Sequence, residues 1–180
     1  MRKTRSMCQR NFLFRENRGV APCRSSGQHE RMNNFANLQF TNTFSTLGDG
    51  FFSQVQPAAL TDPYLVSANQ DALAMIGLEM DDIGLSEFTR VFAGNLVPDG
   101  ARPLSMLYAG HQFGQLVPHL GDGSAILLGD VRDRQGGRWE LQLKGAGQTP
   151  YSRGSDGRAV LRSTIREYLC SEAMHGLGIP

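Results

Sequence analysis

The chain has 180 residues, of which 40% are hydrophobic and 19% charged, with a formal net charge of +1. This length allows one domain with a substantial core, and the composition is that of an ordinary globular protein. The near-neutral charge gives no reason to expect nucleic acid or an acidic partner. No apolar run approaches the roughly 20 residues of a membrane-spanning helix. Cysteines and histidines without CxxC or HExxH spacing argue against a zinc site.

The first 31 residues differ from the rest because they hold eight Lys or Arg residues against two Glu. This composition is typical of an Arg-rich transit peptide, but also of a start codon placed too far upstream, with Met32 as the true start. We interpret residues 1–31 as a disordered or artefactual N-terminal extension. A cytoplasmic location is expected for a bacterial protein, and a mitochondrial one if the extension is a genuine transit peptide.

Residues 32–100 are predicted to form an N-terminal region with two helices. Asn69 is a suitable N-cap for the first helix, which Gly77 can end in the left-handed conformation. Apolar residues at helical spacing predict a second helix before Gly94, and such a stripe packs in a core more often than it forms a binding face. Its members are Leu85, Phe88, Val91 and Phe92.

Residues 101–180 begin with a short apolar run, 104–109, that suits a buried strand. Residues 110–123, GHQFGQLVPHLGDG, have no sustained periodicity and are predicted to be a loop. SAILLGDVRD and RWELQLKG then predict two strands, joined into a hairpin by the turn RQGG.

A second loop, GAGQTPYSRGSDGR, leads into a helix predicted over residues 159–176. Apolar residues four positions apart are expected to mark the buried face of this helix. They are Leu161, Ile165, Leu169 and Ala173.

The order of these parts, from glycine loop to hairpin to helix, is that of the amino-terminal lobe of a protein kinase. Glycines let backbone N–H groups approach phosphate, and a lysine offers the phosphates a positive charge. Lys144 ends the second hairpin strand, with Gly121 23 residues before it and Glu167 23 residues after it. Each of these features also has a simpler interpretation. The glycines would then form only a turn, the lysine would be solvated, and the glutamate would pair with an arginine one helical turn away.

The tetrapeptide LGDG occurs twice, at 47–50 and at 120–123. The first copy precedes FFSQVQP, with no lysine-bearing strand at a useful distance, and is predicted to be a turn. The second copy leads into the hairpin that carries Lys144, so it is the candidate phosphate loop.

Residues 102–180 closely resemble the selenoprotein O family. The matching stretches are RPLSMLYAGHQFG, LGDGSAILLGD and the long block from RWELQLKG to GLGIP. LGDGFF and DPYLVSANQDAL also match, so the resemblance begins near Phe40. Only the N-terminal extension lies outside it.

The resemblance implies an α+β fold like the N-terminal lobe of a protein kinase, with an antiparallel sheet, a glycine-rich loop and an αC-like helix. It also implies an enzyme that transfers AMP from ATP to Ser, Thr or Tyr hydroxyls of proteins. ATP would bind in an orientation inverted relative to that in kinases. Protein substrates are thus the expected partners, with no nucleic acid and no membrane.

By this resemblance, five residues would bind the nucleotide: Gly121, Gly123, Lys144, Asp156 and Gly157. Glu167 would form an ion pair with Lys144. The chain departs from the family at Ser124, where an arginine normally helps to hold the phosphates. Arg153 or Arg158 are the candidates to compensate for that missing charge.

The family's catalytic aspartate and magnesium ligands belong to a carboxy-terminal lobe that these residues do not include. The chain is therefore interpreted as an N-terminal fragment without its own catalytic base or metal ligands, with the ligands of Mg²⁺ or Mn²⁺ expected outside it. We expect the isolated chain to be inactive unless completed, for example by a separately encoded C-terminal half. The alternatives are a non-catalytic nucleotide- or partner-binding remnant, and a conventional kinase-type phosphotransferase.

Overall fold

The computed structural model describes residues 38–133 and 135–179, and the backbone of two strands at 5–8 and 12–16. The strands are β1 (Arg5–Cys8), β2 (Phe12–Glu16), β3 (Phe52–Gln54), β4 (Pro63–Ala68), β5 (Leu104–Met106), β6 (Gly110–Gln112), β7 (Gln115–Val117), β8 (Ala125–Arg132) and β9 (Arg138–Lys144). The α-helices are α1 (Gln70–Met75), α2 (Ser86–Phe92) and α3 (Leu161–Gly176), with 3₁₀ turns at Thr43–Thr46 and Met80–Gly84.

The main sheet has the strand order β1-β9-β8-β5-β3. The pairs β9–β8, β8–β5 and β5–β3 are antiparallel, whereas β1 runs parallel to β9. The strands β2 and β4 form a separate antiparallel pair, as do β6 and β7. This arrangement confirms the predicted α+β class with a sheet whose centre is antiparallel, including the hairpin of β8 and β9.

Strand β8 forms the centre of the core because it is buried on both faces from Ala125 to Val131. A register shift between Leu127 and Gly129 places an extra residue in this strand, and Gly129 there has φ +143°. The core joins β8 and β9 to the small helices, with Ile126 and Leu128 in the same cluster as Leu73 and Phe88. The sheet and the two small helices α1 and α2 therefore share one hydrophobic core.

The two predicted small helices are confirmed. The Asn69 side chain accepts a hydrogen bond from the Ala72 N–H at 3.0 Å and so caps α1. Gly77 has φ +78°, as a helix terminator requires. In α2 the aromatic rings of Phe88 and Phe92 are buried with centroids 4.8 Å apart, so the apolar stripe is core rather than a binding face.

A buried carboxylate ties the segment before β3 to the sheet. Asp130 accepts hydrogen bonds from the Thr41 hydroxyl, from the Thr43 N–H at 2.7 Å and from the Thr43 hydroxyl at 2.8 Å. Arg138 lies 3.5 Å from the same carboxylate. Burial alone would raise the pKa of Asp130, but the threonine hydrogen bonds and the Arg138 charge lower the pKa below its ordinary value.

Helix α3 forms where the sequence predicts it, but the prediction of its buried face is wrong. Ile165 and Leu169 are 40% and 61% exposed. The helix instead turns a polar side inward: the Tyr168 hydroxyl lies 3.5 Å from the Ser67 hydroxyl, and Glu172 accepts a 2.7 Å hydrogen bond from Asn69. An apolar stripe shows which face is hydrophobic, not whether a neighbouring element covers that face.

Residues 110–117 were predicted to be loop but contain the hairpin of β6 and β7. Its turn is Phe113–Gly114, and both residues have positive φ, at +52° and +75°. The usual Asn-Gly signal of such a turn is absent, which is why the sequence does not reveal it. No helix in the described part of the chain is long and apolar enough to cross a membrane.

Two short strands lie within the predicted N-terminal extension: β1 pairs with β9, and β2 pairs with β4. The other residues of that extension lie outside the described residues, as does Met32. Strand β3, from the region 32–100, joins the sheet of the region 101–180. The division at residue 100 stays a prediction.

Candidate functional site

A polar cleft of about 280 Å³ opens where strands β8 and β9 pair through Ala125 and Lys144. The segment 120–124, here called the glycine loop, forms one wall, and the hairpin residue Gln112 and the loop after β9 contribute others. The lining residues are Tyr108, Gln112, Leu120, Gly121, Asp122, Gly123, Ser124, Ala125, Lys144, Ser152, Arg153 and Ser155. The cleft therefore contains the second LGDG copy together with the lysine.

The glycine loop is attached along the end of β5. The Gly121 N–H donates to the Tyr108 carbonyl at 3.2 Å, and the Asp122 N–H donates to the Met106 carbonyl at 2.8 Å. The first LGDG copy makes no such attachment. It forms the predicted turn, in which the Phe51 N–H donates to the Gly48 carbonyl at 3.0 Å.

Asp122 adds a side-chain anchor to this attachment. One carboxylate oxygen accepts the Met106 N–H at 3.2 Å, and the other accepts the Tyr108 hydroxyl at 3.1 Å. Burial raises the pKa of the Asp122 carboxyl, although these two hydrogen bonds and the positive charge of Lys144 oppose part of the rise. Asp122 thus links the loop, β5 and the lysine.

Tyr151 explains why the loop needs both glycines. Gly121 has φ +60°, and a Cβ there would lie 2.5 Å from the Tyr151 ring. A Cβ at Gly123 would lie 3.0 Å from the Tyr151 carbonyl oxygen. The Tyr151 hydroxyl is in turn hydrogen-bonded to Ser53 on β3 at 2.9 Å. Packing against a fixed tyrosine therefore requires glycine here, in addition to any close approach of a ligand.

A turn at residues 149–152 holds the other side of the glycine loop. The Thr149 hydroxyl donates to the Asp122 carbonyl at 2.6 Å, and the Ser152 hydroxyl donates to the Gly123 carbonyl at 2.6 Å. Both side chains are buried. The turn closes on itself through the Ser152 N–H and the Thr149 carbonyl at 3.1 Å.

Two adjacent backbone N–H groups in the cleft wall are free to donate hydrogen bonds to a ligand. Among the residues that the structure describes, neither the Gly123 N–H nor the Ser124 N–H has a hydrogen-bond partner. Successive unpaired N–H groups form the kind of concave donor site that binds anions. Lys144, whose side chain is exposed in the same cleft, adds a positive charge.

Arg153 is the second cation of the described cleft lining. Its guanidinium donates to the Gln112 amide oxygen at 2.5 Å, which joins the loop after β9 to the β6–β7 hairpin. Arg158 is directed elsewhere and donates to the carbonyls of Ala58 and Ala59 at 2.9 and 2.8 Å. Of the two arginines considered as replacements for the missing charge at Ser124, only Arg153 lines the cleft.

The structure brings Gly121, Gly123 and Lys144 together, but it does not place the remaining predicted residues in the cleft lining. Asp156 is exposed and accepts the Arg158 N–H at 2.9 Å. Gly157 is buried against Gly147, where a Cβ would clash with the Gly147 carbonyl. Between Lys144 and Glu167, both within the described residues, no ion pair is formed.

Sequence reasoning missed Asp122, Thr149 and Ser152, whose side chains hold the glycine loop in place. An acid between the two loop glycines was visible, and a threonine and serine three residues apart are typical of a turn with side-chain hydrogen bonds. Their partners are 16, 27 and 29 residues away in the sequence, so the pattern alone does not pair them.

The structure is therefore that of an α+β protein in which a polar cleft lies between a glycine loop and a lysine-bearing strand. The model of the family described as "Protein adenylyltransferase SelO" matches residues 34–180. The chain therefore belongs to the SelO family, as its motifs indicate.

Curated relatives carry the name "Protein nucleotidyltransferase YdiU". The chain is 52% identical to the protein of Thioalkalivibrio sulfidiphilus over 149 residues, which cover 83% of this chain and 30% of that protein. It is 55% identical to the Myxococcus xanthus protein over 143 residues, or 79% of this chain and 29% of that protein. The chain thus spans less than a third of the length of these relatives.

Proposed function

We propose that this chain is the nucleotide-binding part of an ATP-dependent protein adenylyltransferase, which transfers AMP to Ser, Thr or Tyr hydroxyls. The observation that carries the proposal is the cleft, which combines unpaired N–H groups at Gly123 and Ser124 with Lys144. The family description supports the reaction class. In this proposal the sheet is the counterpart of a kinase N-terminal lobe, with 120–124 as its phosphate loop and α3 as its αC-like helix.

The cleft residues would act by binding and orienting a triphosphate. The two N–H groups donate hydrogen bonds to phosphate oxygens, and Lys144 supplies a charge that favours the anion. The nucleotide itself supplies the electrophile: an acceptor hydroxyl forms a bond to the α-phosphorus, and pyrophosphate leaves. Fixed donors of this kind also stabilise the charge that develops during the transfer.

The serine at position 124 lowers the positive charge of the glycine loop, because serine offers one hydroxyl where the family has a guanidinium. We propose that Arg153, in the loop after β9, supplies the missing charge, since it lines the same cleft. Its hydrogen bond to Gln112 would then have to be exchanged for one to phosphate. Asp156 and Gly157 would hold the adjoining loop next to Ser155.

Adenylyl transfer also needs a divalent cation and a base for the acceptor hydroxyl. No group of three or more His, Cys, Asp or Glu side chains that would suit a metal ion occurs among the described residues. We propose that Mg²⁺ or Mn²⁺ is bound mainly by residues that the longer relatives carry outside the matched segment. The isolated chain is then expected to bind nucleotide without transferring it.

A kinase-type phosphotransferase is the second candidate, because the order of glycine loop, lysine strand and helix suits it equally. The experiment uses a chimera in which residues 34–180 of this chain replace the matching segment of the Myxococcus xanthus relative. The chimera is incubated with protein substrate, Mg²⁺ and ATP labelled at either the α- or the γ-phosphate.

Adenylyl transfer predicts that protein is labelled from α-labelled ATP and that Lys144→Ala reduces the labelling at least about tenfold. Labelling from γ-labelled ATP alone would favour the kinase. If neither label reaches protein although the intact relative labels it, the cleft of this chain does not support the reaction.

A further inference from the structure

We propose that Thr149 and Ser152 are positioning residues of the cleft. Their hydroxyl groups orient two successive peptide groups of the glycine loop so that the Gly123 and Ser124 N–H groups face a phosphate. The inference rests on the proposed function, because it assigns a role at the same nucleotide cleft. It concerns two side chains that would themselves bind no nucleotide.

Each hydroxyl has a single proton, and the structure shows where it goes. Thr149 donates to the Asp122 carbonyl at 2.6 Å and accepts the Tyr151 N–H at 3.1 Å. Ser152 donates to the Gly123 carbonyl at 2.6 Å and accepts the Thr149 N–H at 2.8 Å. The two hydroxyls lie 3.4 Å apart, a longer contact than any of these four. Each hydroxyl therefore joins the turn to one carbonyl of the loop.

The orientation of the N–H groups follows from the planarity of the peptide bond. In a trans peptide the carbonyl of one residue and the N–H of the next point in opposite directions. Because the Asp122 carbonyl points at Thr149, the Gly123 N–H points away from the 149–152 turn. The Gly123 carbonyl points at Ser152, so the Ser124 N–H points away from the turn as well.

These two N–H groups lie where the cleft is lined by Gly123, Ser124 and Lys144. Leaving two adjacent donors without a protein partner has a cost in stability unless water or a ligand accepts from them. Donors that are fixed before binding need not reorganise when an anion arrives, which strengthens the interaction. The hydroxyl groups thus give the loop an anion site that its sequence, with Ser124 in place of arginine, otherwise lacks.

The chemical group recognised is a phosphate of a polyphosphate chain. Asp122 is a buried acidic residue of the same cleft lining, so its negative charge disfavours an anion whose charge Lys144 does not balance. Inorganic triphosphate carries this chemistry without the nucleoside, so it separates recognition of phosphate from recognition of ATP.

The test is a titration of the ¹⁵N-labelled chain with inorganic triphosphate and, separately, with ATP. Thr149→Val removes the hydroxyl with little change of shape, whereas Thr149→Ser retains it. Ser152→Ala removes the second hydroxyl and provides an independent variant if Thr149→Val does not fold. Thr46→Val is the matched control, because the exposed Thr46 hydroxyl bonds only the nearby Thr43 carbonyl.

In the wild type we expect the Gly123 and Ser124 amide resonances to shift on saturation with either ligand. Thr149→Val and Ser152→Ala should each weaken binding by the folded protein about tenfold, the effect of one lost oriented donor. Thr149→Ser and Thr46→Val should bind as the wild type does. A merely structural role would lower the unfolding midpoint of Thr149→Val but leave the affinity of the folded protein unchanged.

The outcomes separate this inference from the proposed function. If ATP binds but the two amides do not shift, or if both hydroxyl deletions bind as the wild type, the inference is wrong and the proposed function stands. If triphosphate binds with shifts at both amides but ATP does not, the inference stands and the nucleotide function fails. If neither ligand binds, both are wrong.

Discussion

Gly48 and Gly121 occupy the same position in two copies of LGDG, but their surroundings differ. Gly121 has φ +60°, and its missing Cβ would meet the Tyr151 ring at 2.5 Å, whereas a Cβ at Gly48 would meet nothing within 4 Å. Gly121→Ala therefore combines backbone strain with a steric clash. The environment, not the tetrapeptide, decides what each glycine does.

We predict that Gly121→Ala lowers the free energy of unfolding by about 1–3 kcal/mol, the cost of holding a non-glycine residue in this conformation. Gly48→Ala should change it by less than about 0.5 kcal/mol, as surface substitutions generally do. Urea unfolding of both variants measures the difference. Equal effects of the two substitutions would show that Tyr151 does not restrict the loop.

Asp130 is predicted to give the protein acid-sensitive stability. Its pKa is lowered in the folded state, so its contribution is present above the unfolded-state value of about 3.9 and is lost as the pH falls through the folded-state pKa. Asp130→Asn should lower the free energy of unfolding by about 1.5–3 kcal/mol at neutral pH, the value of hydrogen bonds to a charged group.

This deficit should shrink as the pH falls below about 4, because protons then bind the carboxylate first in the unfolded protein and, at lower pH, in the folded protein. Urea unfolding at several pH values measures it, with Asp99→Asn as the control at an exposed carboxylate. A deficit that stays constant with pH would contradict the account. For Asp122 the effect of pH on the free energy of unfolding has the opposite sign. Its pKa is raised in the folded state, so ionisation of this carboxyl destabilises the folded protein as the pH rises.

At the scale of elements, β8 and α3 show where a sequence pattern is sufficient and where it is not. Leu128 and Leu169 both lie in strongly apolar patterns, yet Leu128 is buried and Leu169 is 61% exposed. Continuous apolar character together with a hairpin partner predicts β8 well, because a central strand is covered on both faces. The face that α3 buries depends on polar contacts to Ser67 and Asn69, about 100 residues away.

Leu128→Ala is predicted to lower the free energy of unfolding by about 2–5 kcal/mol, since it leaves a cavity in the core. The same substitution at Leu169 should cost less than about 0.5 kcal/mol, because the side chain is exposed and alanine suits a helix. Thermal or urea unfolding of the pair gives the comparison. A cost at Leu169 comparable to that at Leu128 would mean that the α3 face is covered in solution.

On the scale of the whole molecule, the sequence predicts the α+β class, the two small helices, the β8–β9 hairpin and three residues of the cleft. It fails where long-range partners decide the outcome. The anchors Asp122, Thr149 and Ser152 act through hydrogen bonds across the fold, and the Phe113–Gly114 turn lacks the usual residue type. Propensity and periodicity describe local preference, so they cannot specify such pairs.

We propose above all that the chain itself binds a nucleoside triphosphate in the cleft through the glycine loop and Lys144. The most direct test of this proposal is the dissociation constant of ATP for the wild type, Lys144→Ala and Arg132→Ala, measured by isothermal titration calorimetry. Arg132 is the control because it lies at the other end of β8 from Ala125, which lines the cleft. At the usual rise per strand residue the two ends of β8 are about 23 Å apart. We predict saturable binding that Lys144→Ala weakens at least about tenfold and that Arg132→Ala leaves unchanged. The absence of saturable binding to the folded wild type, or equal losses in both variants, would contradict it.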